Sequence, residues 1–95
     1  LGADAVYTAR GFLLSLGCIQ ALQCNKNTCP VGITTHNPRF QKGLIISDKA
    51  VKVTNYVNNL EHDFYELLAS TGSKNVKELT PDKVYIPKNA PCVEK

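Results

Sequence analysis

The hydrophobic and polar positions of this chain change rhythm along its length. Ala50, Val53, Val57, Leu60, Phe64 and Leu67 recur at steps of 3, 4, 3, 4 and 3, the period of an amphipathic helix. Ser47 is a suitable N-cap before them, and Gly72 a suitable residue just past the end. A helix is therefore predicted from about Asp48 to Thr71, roughly 36 Å long at about 1.5 Å per residue. Lys49 and Lys52 lie near its start, with Glu61, Asp63 and Glu66 toward its end. These charges oppose the helix macrodipole at a cost of roughly a few tenths of a kcal/mol each. Packing of the apolar stripe, or compensating charges nearby, has to outweigh that cost.

The first part of the chain reads differently. Ala5 to Thr8 is short, apolar and rich in strand-forming types, as a buried strand would be. Gly11 allows a turn, after which Phe12, Leu13, Leu14, Leu16, Cys18, Ile19, Ala21 and Leu22 leave almost no polar stripe. A helix ending near Leu22 and buried on most sides is expected there. From Gln23 to about Ile46 no period persists, and prolines, glycines and asparagines accumulate. A loop of that length is usually functional. "NVKELTPDKVYI" reads as a short helical turn and an extended end stopped by Pro87, before a loosely ordered tail. Three segments result: 1–46, 47–79 and 80–95.

Ninety-five residues make at most one small domain with a thin core. The apolar fraction of 43% and charged fraction of 20% are those of a globular chain rather than a disordered one. A mostly buried helix needs more neighbours than this length supplies, and the chain contains no Met and opens on Leu1. Both features suggest an internal or C-terminal piece of a longer protein. The longest apolar run, "GFLLSLGCIQAL", is too short to cross a bilayer, so no membrane contact is expected from this segment. The net charge of +3 comes from scattered lysines, without the clustered basic and aromatic residues that nucleic-acid binding would want.

The chemistry concentrates in "LGCIQALQCNKNTCPVG". Three of the four cysteines, Cys18, Cys24 and Cys29, fall within twelve residues as C-x5-C-x4-C, and Pro30 follows the last. A continuous helix would place Cys18 and Cys24 roughly 9 Å apart along its axis and on different sides. The chain therefore has to bend for the thiols to share a site, and Asn25, Asn27 and Thr28 favour such a bend. Three thiolates suit an iron–sulfur cluster. Four-coordinate zinc needs a further ligand, for which His36 and Cys92 are available. A disulfide would leave an odd thiol and require an oxidising compartment, and Cys18 alone suits simple apolar burial. A zinc-binding or cofactor-free helical interaction module with structural cysteines is thus the alternative to a cluster protein.

"GCIQALQCNKNTCPVGITTHNP" closely resembles the segment that closes the flavin domain of glutamate synthase, in its large-subunit form and in shorter FMN-binding relatives. The likeness runs from Leu1 to about Leu79 and leaves Cys92 outside. It implies that Cys18, Cys24 and Cys29 ligate a 3Fe-4S cluster. It also implies that "GADAVYTARGF" is the last strand of a (β/α)8 barrel and the turn after it. The expected fold is then mainly α for this segment: a last strand–helix unit of the barrel, a cysteine-bearing loop and a long C-terminal helix. In barrels phosphate is commonly held after the last strands, which assigns Ala9, Arg10 and Gly11 to the FMN phosphate. Large-subunit enzymes tend to be richer in glycine and threonine where this chain has "YTARG". The implied reaction passes electrons between the cluster and FMN to reduce 2-iminoglutarate, from 2-oxoglutarate and ammonia, to L-glutamate. The implied partners are the remainder of the barrel and an electron donor, either ferredoxin or an NADPH-oxidising subunit, in the cytoplasm. No residue reads as a general base, so this segment on its own is expected to be inactive.

Overall fold

The computed structural model describes residues 3–89, and Cys92 lies outside them. It is helical: α1 spans Arg10–Ser15, α2 Pro38–Gln41 and α3 Ile46–Ser70, followed by 3₁₀ turns at Val76–Glu78 and Pro81–Lys83. No strand occurs among the described residues. Two compact units are present, one of them Tyr7–His62 and the other made of 3–6 with 63–89. The residues of α3 contribute to both.

The strand expected at 5–8 is absent. Val6 and Tyr7 are fully or nearly fully exposed, at 81% and 106%. A strand exists only through the ladder it shares with a neighbour, and no neighbouring strand is described to provide one.

The first helix stops earlier than its apolar run suggests, at Ser15 rather than near Leu22. The cause is Gly17, at φ +96°. Its amide donates to the Leu14 carbonyl at 2.9 Å and the next amide, of Cys18, to that of Leu13 at 3.0 Å. This pair of bonds is the Schellman ending of a helix. Ile19 and Leu22 are exposed instead of buried. Cys18 thus stands just past the helix, not late within it. On its inner side α1 packs Phe12 edge-on to Tyr56 of α3, ring centroids 5.1 Å apart.

The long helix matches its periodicity closely, starting two residues early and ending one early. Ser47 lies inside it rather than capping it, and the amide of Lys49 already donates to the carbonyl of Ile45. Its charges at the start find local partners. Lys52 pairs with Asp48 at 3.0 Å one turn away, and Lys49 with the same carboxylate at 3.8 Å. The Lys49 ammonium also sits beside Gly17, at the negative end of α1, where a cation is favoured. The apolar stripe itself is not covered: Val57, Leu60, Phe64 and Leu67 are all more than a third exposed, and Leu68, one position off the stripe, is the buried residue of α3.

Past α3, Gly72 takes the helix-ending position expected of it, at φ +74°. Buried Ser73 accepts from Lys83 Nζ at 2.8 Å and from the Thr71 hydroxyl at 2.9 Å. This tie holds the Pro81–Lys83 turn beside the C-terminus of α3, where again a cation is favoured. The helical turn expected in "NVKELTPDKVYI" is present as the two 3₁₀ turns.

Candidate functional site

Between α1 and α2 the chain runs through 22 residues without regular structure, and its course is set by backbone conformation. Gln20, Leu22 and Asn27 adopt positive φ of 56°, 57° and 59°, a region that side chains other than glycine enter at a cost. The first two fold the chain back between Cys18 and Cys24. The third reverses it ahead of Cys29. These bends do what a continuous helix would not: Cys18, Cys24 and Cys29 all line one hollow of about 140 Å³, together with Arg10, Leu13 and Val31.

The three thiols are free, and they differ in exposure. Cys24 is exposed, Cys18 half-buried and Cys29 buried at 9%. Cys18 Sγ accepts a hydrogen bond from the Gln20 amide at 3.4 Å. The loop after Cys29 wraps its sulfur. Against the opposing effect of burial, the backbone groups of Thr34, then Val31 and Ile33, lower its pKa from 9.0 to about 7. The Thr34 hydroxyl contributes least. It is buried without a hydrogen-bond partner of full geometry, so its influence on the sulfur is that of a nearby dipole.

This loop is braced on α2, a helical turn that hydrophobic rhythm does not reveal. Its signal is local: Asn37 caps the turn by accepting from the Arg39 amide at 3.0 Å, and Pro38 occupies the first helical position. Gly32, at φ +83°, lies so close to the Phe40 carbonyl that a side chain there would collide with it.

His36, the possible extra ligand, lines a separate polar hollow on which Cys24 also borders. Among the described residues no three His, Cys, Asp or Glu side chains are gathered as ligands of one metal ion must be. A single zinc holds each sulfur at about 2.3 Å. In a cluster each cysteine binds its own iron, so the sulfurs stand further apart. Three cysteines around one hollow are a donor set whose chemistry suits a cluster.

At the expected phosphate turn, Ala9 precedes α1 and no side chain caps the helix start, which leaves first-turn amides open. Arg10 is exposed and borders the cysteine hollow. The space beside Gly11 is taken by the Tyr56 hydroxyl, so a side chain there would displace the Tyr56 ring. No described helix is long and apolar enough to cross a membrane.

Comparison with known proteins gives a consistent answer. Residues 1–74 match the family model described as the conserved region in glutamate synthase. The chain is 47% identical over 72 residues to the glutamate synthase large subunit-like protein YerD of Bacillus subtilis, which covers 76% of this chain and 14% of that protein. It is 34% identical over 79 residues to the archaeal glutamate synthase [NADPH] of Methanocaldococcus jannaschii, covering 83% of this chain and 16% of the relative. Over the same length it is 30% identical to the glutamate synthase [NADPH] large chain of Azospirillum brasilense, covering 83% and 5%. The chain thus spans a sixth or less of each of these relatives. No solved structure matches it significantly. The matched region takes in the whole cysteine loop and all of α3, and by that match the chain belongs to the glutamate synthase family.

Proposed function

We propose that this chain supplies the iron–sulfur ligands and part of the flavin site of a glutamate-synthase-type oxidoreductase. The whole protein would reduce 2-iminoglutarate, formed from 2-oxoglutarate and ammonia, to L-glutamate. The observation that carries this reading is the convergence of Cys18, Cys24 and Cys29 on one hollow, in a chain of this family. When bound, a 3Fe-4S cluster supplies one-electron transfer and FMN supplies hydride chemistry, which the protein positions and tunes.

The residues of this chain have distinct tasks in that scheme. Cys18, Cys24 and Cys29 hold the cluster. The amides of Thr34, Val31 and Ile33 on Cys29, and that of Gln20 on Cys18, stabilise negative charge on the ligand sulfurs. Leu13 and Val31 form apolar wall that limits water at the site. Ala9, Arg10 and Gly11 form part of the FMN phosphate site, with open first-turn amides and one guanidinium as the anion-binding groups. The remaining barrel provides substrate ligands and covers the exposed stripe of α3. A nicotinamide-oxidising subunit is the donor we favour over ferredoxin, since two relatives carry NADPH in their names. Free thiols suit a reducing compartment such as the cytoplasm.

Iron and labile-sulfide analysis of the whole protein, purified without oxygen, tests the reading. Cluster-level iron and sulfide are expected in the native protein and loss of both in Cys24→Ser. Stoichiometric zinc without sulfide would replace the cluster by a zinc site. Retention of iron and sulfide in Cys24→Ser would refute the ligand set. Arg10→Ala is expected to weaken FMN retention, read from flavin absorbance after gel filtration, while leaving iron content unchanged.

A further inference from the structure

Building on the cluster reading above, we propose that Gln23 and Thr28, which are not ligands, are positioning residues: they fix the spacing of Cys24 and Cys29 and so govern how firmly the cluster is held. The Thr28 hydroxyl donates to the side-chain carbonyl of Gln23 at 2.9 Å. Each partner stands directly before a cysteine in "QCNKNTC". The bond therefore ties the chain entering one ligand to the chain entering the other.

This bridge shortens the path between the two cysteines. Gln23 and Thr28 are five residue steps apart, over which an extended chain would cover roughly 17 Å. Bonded, they stay within the combined reach of one glutamine and one threonine side chain. Gln23 is held a second time, its backbone carbonyl accepting from the Lys26 amide at 3.1 Å. Asn27, at φ +59°, reverses the chain just ahead of Thr28. The ring so closed contains Cys24 and leads directly into Cys29, and Gln23 itself lines the hollow beside both cysteines.

The bond contributes little elsewhere. Thr28 is exposed and Gln23 half-buried, and neither belongs to a helix. An exposed hydrogen bond adds little to global stability, because water can replace either partner. Its effect is to order the loop before the ligands engage. Ligands already held at their spacing lose less conformational freedom on binding, and removing the groups that orient metal ligands typically weakens binding about tenfold or more.

The test uses the whole protein, purified anaerobically, with iron loss to an excess of ferrous chelator followed by absorbance. Thr28→Val removes the donor at nearly constant volume, and Gln23→Leu removes the acceptor in the same way. Each is expected to lose iron about three- to tenfold faster than the native protein. The unfolding midpoint of the iron-free protein should stay native, which separates a positioning role from a general structural one. Thr28→Ser restores the hydroxyl and should recover the native rate. The double variant should lose iron no faster than either single one, as for two residues that act through one bond. Should Thr28→Val fail to accumulate, Gln23→Leu and Thr28→Ser decide. Native rates of iron loss in the single variants, or effects that multiply in the double one, would overturn the bridge and leave the cluster reading intact. A native protein without iron and sulfide would overturn both.

Discussion

At the scale of single residues, Cys29 is the one whose chemistry the fold alters most. Its thiol is buried, which by itself would raise the pKa, yet the surrounding amides outweigh that and lower it to about 7. Peptide dipoles held in place can do this because they need no reorganisation when the charge forms. In the metal-free protein, thiolate absorbance is expected to show one step centred near pH 7. A depressed pKa favours the folded state where the thiolate exists. That contribution is complete above 9.0, the unfolded value, and is lost as the pH falls through about 7. Gly32 is the second decisive position, because both its backbone angle and the adjacent Phe40 carbonyl exclude a side chain. Gly32→Ala is expected to destabilise the protein by about 1–3 kcal/mol, measured by denaturant unfolding. The cysteine spacing is legible in the sequence, as is the residue type at position 32. The amides that act on Cys29 are not, because they belong to backbone groups and every residue type except proline carries one.

At the scale of elements, α3 shows how far periodicity reaches. Steps of 3 and 4 located the helix to within two residues at each end, since the same spacing that builds an apolar face requires a helical backbone. They did not show which positions are covered. Leu68, off the stripe, is 3% exposed, whereas Leu60, on it, is 48% exposed. In this chain Leu68→Ala is expected to cost about 2 kcal/mol or more, and Leu60→Ala no more than about 0.5 kcal/mol, compared by unfolding midpoints. If the rest of the protein covers the stripe, Leu60→Ala there should approach the cost of Leu68→Ala. The first helix shows the opposite limit. Its apolar run continues beyond the helix, and Gly17 ends it. A glycine inside an apolar run is a stop signal only when the chain takes positive φ there, which the hydrophobic pattern alone does not express. Asn37-Pro38, by contrast, is a readable start signal for α2.

At the scale of the whole molecule, the chain covers a sixth or less of the relatives it was compared with, and much of its apolar surface is open. Val6 and Tyr7 have no ladder, Ile19 and Leu22 rim the cysteine hollow uncovered, and the stripe of α3 faces outward. This chain expressed alone is expected to form no glutamate from 2-oxoglutarate, ammonia and a reductant. The whole protein should do so in the same assay. Sequence by itself determined the long helix, the family and the three cysteines, because period, motif and spacing are properties of a linear string. Tertiary structure alone decided that those cysteines share a hollow and that α1 stops before the first of them. It also decided that the thiol of Cys29 has a pKa lowered to about 7 by the backbone around it. These depend on the φ values the backbone takes and on which groups the folded chain brings together, and a one-dimensional pattern contains neither.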